Sequence, residues 1–280
     1  MTNEITYSVP SVLTIAGFDS SAGAGIQADS KTIGSLGCYA FNVLTALPIQ
    51  NTQGVKNIFP IPIQAVEEQL DCVFQDSKPD AIKIGMVHNR QLVELLAKKL
   101  KAYDGPIVFD PVMVATSGHR LIDQDTIEVI IDKLFPLADL ITPNLDEASV
   151  LIGRTIESLE DMQNAKQELL ALGCPAVLLK GGHLQQAILT SILFAKNQPD
   201  HYIEHPKIKT KNTHGSGCSL SSAIASFLAL NQSLPEATKA ALDYVHQALL
   251  AGKDLEIGKG NGPLNHFFAP KPLITYPKQT

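Results

Sequence analysis

Residues 212–218 read Asn212-Thr213-His214-Gly215-Ser216-Gly217-Cys218, and Ser219-Leu220-Ser221-Ser222-Ala223-Ile224-Ala225 follow directly. Two glycines among small polar residues thus open into a segment with Leu220, Ile224, Phe227 and Leu228 at helical spacing. A glycine-rich turn that feeds a helix leaves the first N–H groups without intrahelical partners, and the peptide dipoles place about half a positive charge there. Such a mouth binds anions, phosphate above all, and glycine lets a ligand approach the backbone without a Cβ in the way. Cys218 falls in the first turn, a position that stabilises a thiolate, so a lowered thiol pKa is expected. A tight turn before an ordinary helix reads the same way. The rest of the chain decides between them.

Further reactive types stand just after the apolar β-rich runs. Gly17 and Asp19 follow 12–16, and Gly85 with Met86 follows 81–84. Asp110 follows 107–109, Asn144 and Glu147 follow 140–142, and Lys180-Gly181-Gly182 follows 176–179. In open parallel sheets, ligands bind outside the carboxyl ends of the strands. Acids suited to Mg²⁺, a lysine and an anion-binding helix mouth are the parts that phosphoryl transfer requires. Each has a plainer use as well. Asp110 before Pro111 starts a turn, and Asn144-x-x-Glu147 fits a capping box. Met86 suits a core, Lys180 a strand end, His214 an anchoring contact, and Cys218 a small buried hydrophobe. Their joint placement at one edge is what favours function.

The elements that would position these groups alternate. Strands are expected at 12–16, 39–47, 81–84, 107–109, 140–142 and 176–179, with a hairpin pair at 188–194 and 201–203. Helices are expected from the glycine-rich loop at 17–25 to Leu36, around 63–74, 92–100, 127–134, from about Leu145, over 159–172, from the 215–218 turn, and over 235–250. Gly37 and Gly173 supply helix stops. This order implies a three-layer α/β fold, a mostly parallel sheet with helices on both faces, and no linker marks off a second domain within the 280 residues. With 45% hydrophobic and 18% charged residues the chain can bury a large core. A net charge of −6 without a basic run argues against nucleic acid as a partner. The apolar runs are too short for a bilayer, and residues 1–10 lack an apolar signal core. Four scattered cysteines without a Cys-x-x-Cys pair suit reduced thiols in a cytoplasm.

Several chemistries lack their motif. There is no Gly-x-x-x-x-Gly-Lys-[Ser/Thr], no complete dinucleotide fingerprint after Gly23-Ala24-Gly25, no His-Glu-x-x-His and no Gly-x-Ser-x-Gly elbow. A thiol hydrolase using Cys218 and a histidine stays open, but would leave Asp110, Glu147 and Lys180 without a purpose.

The chain resembles the ribokinase-like superfamily and, within it, the hydroxymethylpyrimidine/phosphomethylpyrimidine kinases of thiamine biosynthesis. The likeness runs over 13–266. Its carriers are Leu13-Thr14-Ile15-Ala16-Gly17 with Asp19, Gly23-Ala24-Gly25-Ile26-Gln27-Ala28-Asp29, Thr45-Ala46 with Gln50-Asn51-Thr52, and Lys83-Ile84-Gly85-Met86. Asp110-Pro111-Val112-Met113, Ile141-Thr142-Pro143-Asn144 with Glu147-Ala148, Lys180-Gly181-Gly182-His183 and the 212–218 stretch continue it. Gly258-Lys259-Gly260, Gly262-Pro263 and His266 close it. Phe18 and Ala22 depart from the serine and glycine common at their loop positions.

The resemblance implies ATP and Mg²⁺ as cofactors, with the γ-phosphoryl group passing to the hydroxymethyl oxygen of an aminopyrimidine and then to its monophosphate. It assigns the pyrimidine to Gly17, Asp29, Gln50, Met86 and Val112, and Mg²⁺ to Asp110 and Glu147 through water. Asn144, Thr213, Ser216 and Lys180 join the ATP phosphates, and the amides of Gly215, Gly217 and Cys218 form the anion hole. Lys180 would neutralise the transferring charge, Cys218 would act as base, and Lys259 would add a C-terminal contribution. Small-molecule partners and, by family habit, a homodimer follow. A pyridoxine/pyridoxal kinase of the same fold is the nearest rival, and Gln50 with the 258–263 segment favours the pyrimidine enzyme. A nucleotide-binding regulator without chemistry is the reading from a different class, against which intact Asp110, Glu147, Lys180 and Cys218 argue, and the thiol hydrolase is third.

Overall fold

The computed structural model describes residues 6–113, 122–182, 184 and 186–278; His183 lies outside them. After a two-residue strand β1 (Tyr7–Ser8), the chain enters β2 (Ser11–Ala16), α1 (Gly25–Ser35) and β3 (Tyr39–Leu44). A hairpin follows, β4 (Ala46–Asn51) and β5 (Gly54–Pro60), then α2 (Ile63–Asp76), β6 (Ala81–Ile84), α3 (Arg90–Leu100) and β7 (Ile107–Phe109). Next come α4 (Gln124–Lys133), a 3₁₀ turn (Phe135–Leu137), β8 (Leu140–Ile141), α5 (Leu145–Ile152), α6 (Leu159–Asn164) and α7 (Lys166–Ala171). The chain finishes with β9 (Ala176–Leu179), β10 (Ile188–Ala195), β11 (His201–Pro206), α8 (Ser216–Ala229), α9 (Leu234–Gly252) and β12 (Tyr276–Pro277), which pairs with β1.

Eight strands form one sheet in the order β11-β10-β9-β8-β7-β6-β2-β3. The pairs from β3 across to β9 are parallel, and β10 and β11 add an antiparallel edge. Strands covered on both faces read as continuous apolar runs, as Val12-Leu13, Ile107-Val108-Phe109 and Ala176-Val177-Leu178-Leu179 do. Alternate residues point to opposite faces. Leu13, Ile15, Ile82, Ile84, Phe109 and Val177 meet α2 to α7, whereas Val12, Ala81, Val108, Leu140 and Leu178 meet α1, α8 and α9. This is the expected three-layer arrangement.

Two expected elements differ. The run at 39–47 is two strands, broken at Thr45. There the backbone N–H still bonds Ala16 O and Thr45 Oγ1 donates to Met86 O, after which the chain leaves the sheet for the separate hairpin. The helix expected over 159–172 is divided by a turn at Ala165 into α6 and α7. Among the described residues no helix is long and apolar enough to cross a membrane.

Candidate active site

The carboxyl ends of β2, β6, β7, β8 and β9 open on one cavity of about 900 Å³. At its centre Lys180, just after β9, places Nζ 3.1 Å from Asp110 Oδ1 and 4.0 Å from Glu147 Oε2. Thr142 Oγ1 donates to the same Asp110 oxygen at 3.0 Å. Burial alone would strip charge from Lys180, but Asp110 and then Glu147 outweigh it and hold the ammonium above its ordinary pKa. Glu147 moves upward too: its burial outweighs the pull of Lys180, and nearby Asp110 adds to the rise. Two acids packed this closely crowd negative charge, and oxygen donors so placed suit a hard dication held through water. Among the described residues no cluster of three acidic, histidine or cysteine ligands occurs, so the protein would supply only part of such an ion's shell.

Asn144 and Glu147 do form the capping box of α5. Asn144 N–H donates to Glu147 Oε2 at 2.8 Å, and Glu147 N–H donates to Asn144 Oδ1 at 2.9 Å. The capping use and a place at the candidate site therefore coincide, because the capped end of α5 is also a wall of the cavity.

The mouth of α8 faces this cluster. A Cβ built on Gly217 would lie 3.4 Å from Asp110 Oδ2 and 3.5 Å from Lys180 Nζ, which is the space an anion would take. Gly215, the N-cap, has φ +80°, and a Cβ there would meet Gly23 O at 1.7 Å, so only glycine fits. Thr213, Ser216 and Cys218 line the same space. His214 is an anchor: its Nε2 lies 2.8 Å from Asp19 Oδ2, and its N–H donates to Gly262 O. Asp19 also accepts from the N–H groups of Ser21, Gly23 and Ala24. Burial works against the Asp19 charge, but His214, Ser21 and Ala24 overcome it and hold the carboxyl well below its usual range.

At the other end, Gly17, Met86 and Val112 line the cavity beside Gln50, which comes from β4 and donates to Phe18 O at 3.3 Å. The hairpin is tied down by the C-terminal loop: Gly260 N–H donates to Thr52 Oγ1 and Asn261 N–H to Thr52 O. The same loop, through Gly262 O and an isolated bridge from Pro263, holds His214. The Ala22 departure has a cost in conformation, since its φ of +56° is one that glycine adopts more readily.

Three expectations fail. Asp29 does not line the cavity; it is fully buried in α1 with Lys83 Nζ 2.8 Å from Oδ2, so it is spent on an internal ion pair rather than on a ring. Lys259 is exposed on the C-terminal loop and stays outside the cavity, because Gly258 and Gly260 press that loop on Thr52. The Cys218 thiol is not lowered. Part of the residue is open to the cavity, but burial dominates and pushes the thiol up to about 11, against the pull of Lys83.

Other lining residues were not expected. Leu242, Val245, His246 and Leu249 of α9, with Ile208 after β11, line the far end of the cavity, where His205 and His246 stack at 4.8 Å. Their helical periodicity was visible, but apolar residues of that spacing read as core. Lys83, inside β6, also reaches the cavity.

The family described as phosphomethylpyrimidine kinase matches residues 19–265. The chain belongs to that family. It is 44% identical to the hydroxymethylpyrimidine/phosphomethylpyrimidine kinase of Rhizobium meliloti, over 91% of this chain and 96% of that one. A thiamine biosynthesis bifunctional protein of Geobacter sulfurreducens is 46% identical over 92% of this chain, which spans 52% of that longer relative. Among solved structures, a phosphomethylpyrimidine kinase from Clostridium difficile shares 40% identity at a TM-score of 0.74, over 85% of this chain and 99% of that one. The ADP complex of Bacillus subtilis pyridoxal kinase shares 33% at 0.84, over 92% and 98%. Family membership and the site agree in leaving a thiol hydrolase without support: among the described residues the charged groups acting on Cys218 are Lys83, Lys180, Asp29 and Asp110, and no histidine is among them.

Proposed function

We propose that the chain transfers the γ-phosphoryl group of ATP to 4-amino-5-hydroxymethyl-2-methylpyrimidine and then to the monophosphate so formed, as its kinase relatives' names describe. The observation that carries this reading is the convergence of Lys180, Asp110 and the α8 mouth on one cavity that continues to Gln50 and Met86. The triphosphate tail lies against the 215–218 amides, which donate to its oxygens without rearrangement during the reaction. Lys180 balances charge on the transferring group. Asp110 and Glu147 would hold Mg²⁺ through water, and the ion would neutralise phosphate charge when bound. Gln50 presents an amide donor and acceptor to the aminopyrimidine edge between the apolar surfaces of Met86 and Val112. A loose transition state leaves little covalent work, so alignment of acceptor and phosphate carries most of the rate.

Cys218 takes the acceptor proton in this reading. With its thiol pushed up to about 11, the thiolate fraction is small at neutral pH and grows as pH rises, so turnover has an alkaline limb. An ATP-coupled assay with the hydroxymethylpyrimidine, its monophosphate, pyridoxine and pyridoxal tests the proposal. Turnover of both pyrimidines is expected. Turnover of B6 vitamers alone would refute it and favour the pyridoxal kinases, whose folds superpose well.

A further inference from the structure

Under the acceptor end lies a charge pair that the chemistry above does not use. Lys83 in β6 and Asp29 in α1 are both shielded completely from solvent. Asp29 Oδ2 accepts from Lys83 Nζ at 2.8 Å and from Thr14 Oγ1 at 2.5 Å; Thr14 is paired in register with Lys83 across β2 and β6. Asp29 Oδ1 accepts from Ser222 Oγ at 2.7 Å. Ser222 stands one helical turn beyond Cys218 on α8, so the bracket joins β2, β6, α1 and α8 just below the thiol. A buried ion pair is a poor route to stability, because apolar residues of similar volume serve as well or better. Apart from Thr14, which serves the same carboxylate, the neighbours Val12, Ala81, Val108 and Leu140 on this sheet face are apolar. Packing does not account for a lysine here.

Lys83 also stands beneath the floor of the site, covered from solvent. It lines the same cavity as Cys218, and its Nζ lies 2.8 Å from where a Cβ on Gly85 would be, so glycine leaves the ammonium its room. An ammonium has three donors. Among the described residues, Asp29 is its one hydrogen-bond partner.

We propose that Lys83 is a positioning residue for Cys218: pinned by Asp29, its ammonium holds the thiolate charge beside the acceptor oxygen. This rests on Cys218 being the acceptor-side base. In that step the thiolate takes the proton of the acceptor hydroxyl while the oxygen's electron pair closes on Pγ. The bond from Pγ to the bridging oxygen breaks, and ADP keeps its electrons. The thiol then returns its proton to water, and Lys83 stays charged throughout. Charges from four places bear on the thiol: Lys83 of β6 and Lys180 after β9 favour the thiolate, whereas Asp29 of α1 and Asp110 after β7 oppose it. Lys83 is the strongest of these.

The test is the rate of Cys218 alkylation by iodoacetamide at pH 8.5, read from the mass of its peptide, without nucleotide or metal. The full chain is used with the exposed Cys72 changed to serine. Lys83→Met is expected to slow alkylation about tenfold, one pH unit of thiolate. Mere loosening of the site would speed it. Because the single change strands a buried carboxylate, Asp29→Asn/Lys83→Met is measured beside it, with a smaller slowing of about threefold expected from the dominance of the lysine. Circular dichroism selects the folded variants. A rate at or above that of the parent in either folded variant overturns the proposal. Cys218→Ala keeps the two readings distinct: full turnover in it refutes the base role, whereas the alkylation rates report the coupling itself.

Discussion

The two ends of the cavity are built differently. At the end proposed to take phosphate, the parts are backbone and buried charge: the α8 mouth, a capped α5, and Lys180 locked to Asp110. At the end proposed to take the acceptor, the walls are side chains on a loop, a strand end and a hairpin that stands apart from the main sheet. Phosphate is the same in every kinase reaction, so its cradle is fixed by the fold. The acceptor varies, and the hairpin and loops can vary with it. This explains how a pyridoxal kinase superposes at a TM-score of 0.84 although it shares only 33% identity.

The contrast can be broken first at Lys180. Lys180→Met is expected to lower kcat by about 10³-fold with acceptor KM little changed, since charge stabilisation of the transition state is lost. A KM effect alone would show that the lysine only binds. Gly217→Ala places a methyl group in the space between Asp110 and Lys180. Loss of ATP affinity by about 10²-fold with an unchanged melting temperature is expected, as for a lost anion site; isothermal titration checks it. At the acceptor end, Gln50→Ala is expected to raise pyrimidine KM about tenfold while leaving ATP affinity intact. Unchanged pyrimidine kinetics would remove the contact.

The smallest effect on the chemistry is expected from Asp19→Asn, which weakens the anchor between the first loop and His214. Chemical denaturation should show a loss of about 2 kcal/mol at pH 7, typical of charge-assisted hydrogen bonds. The Asp19 carboxyl titrates lower in the folded state than its ordinary value of 3.8, so its contribution is complete above that pH. As acid drives the folded group to protonate, the contribution is lost, and the gap between protein and variant closes. A gap that widens in acid would contradict the anchor.

The phosphate end was the more legible in sequence because its groups follow directly on strands and on a glycine turn. Local order there gives spatial order. Asp29 shows the opposite case. Its position on α1 says nothing of the direction in which the carboxylate points, and a lysine 54 residues further along the chain settles it. Lys83 itself sits in Ala81-Ile82-Lys83-Ile84, where alternation suggests a solvent face, but α8 covers that face of β6. The hairpin was missed because β5 is short of buried residues and carries polar ones outward. For Cys218 the sequence shows only a helix position, while the desolvation that governs its thiol depends on everything packed around it.

The loop at 258–263 touches both ends at once, gripping Thr52 on one side and His214 on the other. The proposed ring-binding hairpin and the proposed phosphate cradle are therefore braced by a single spar that comes from the last tenth of the chain. Clipping the polypeptide after α9 would disarm the two together, and a bound nucleotide should in turn shield that distant tail from proteases.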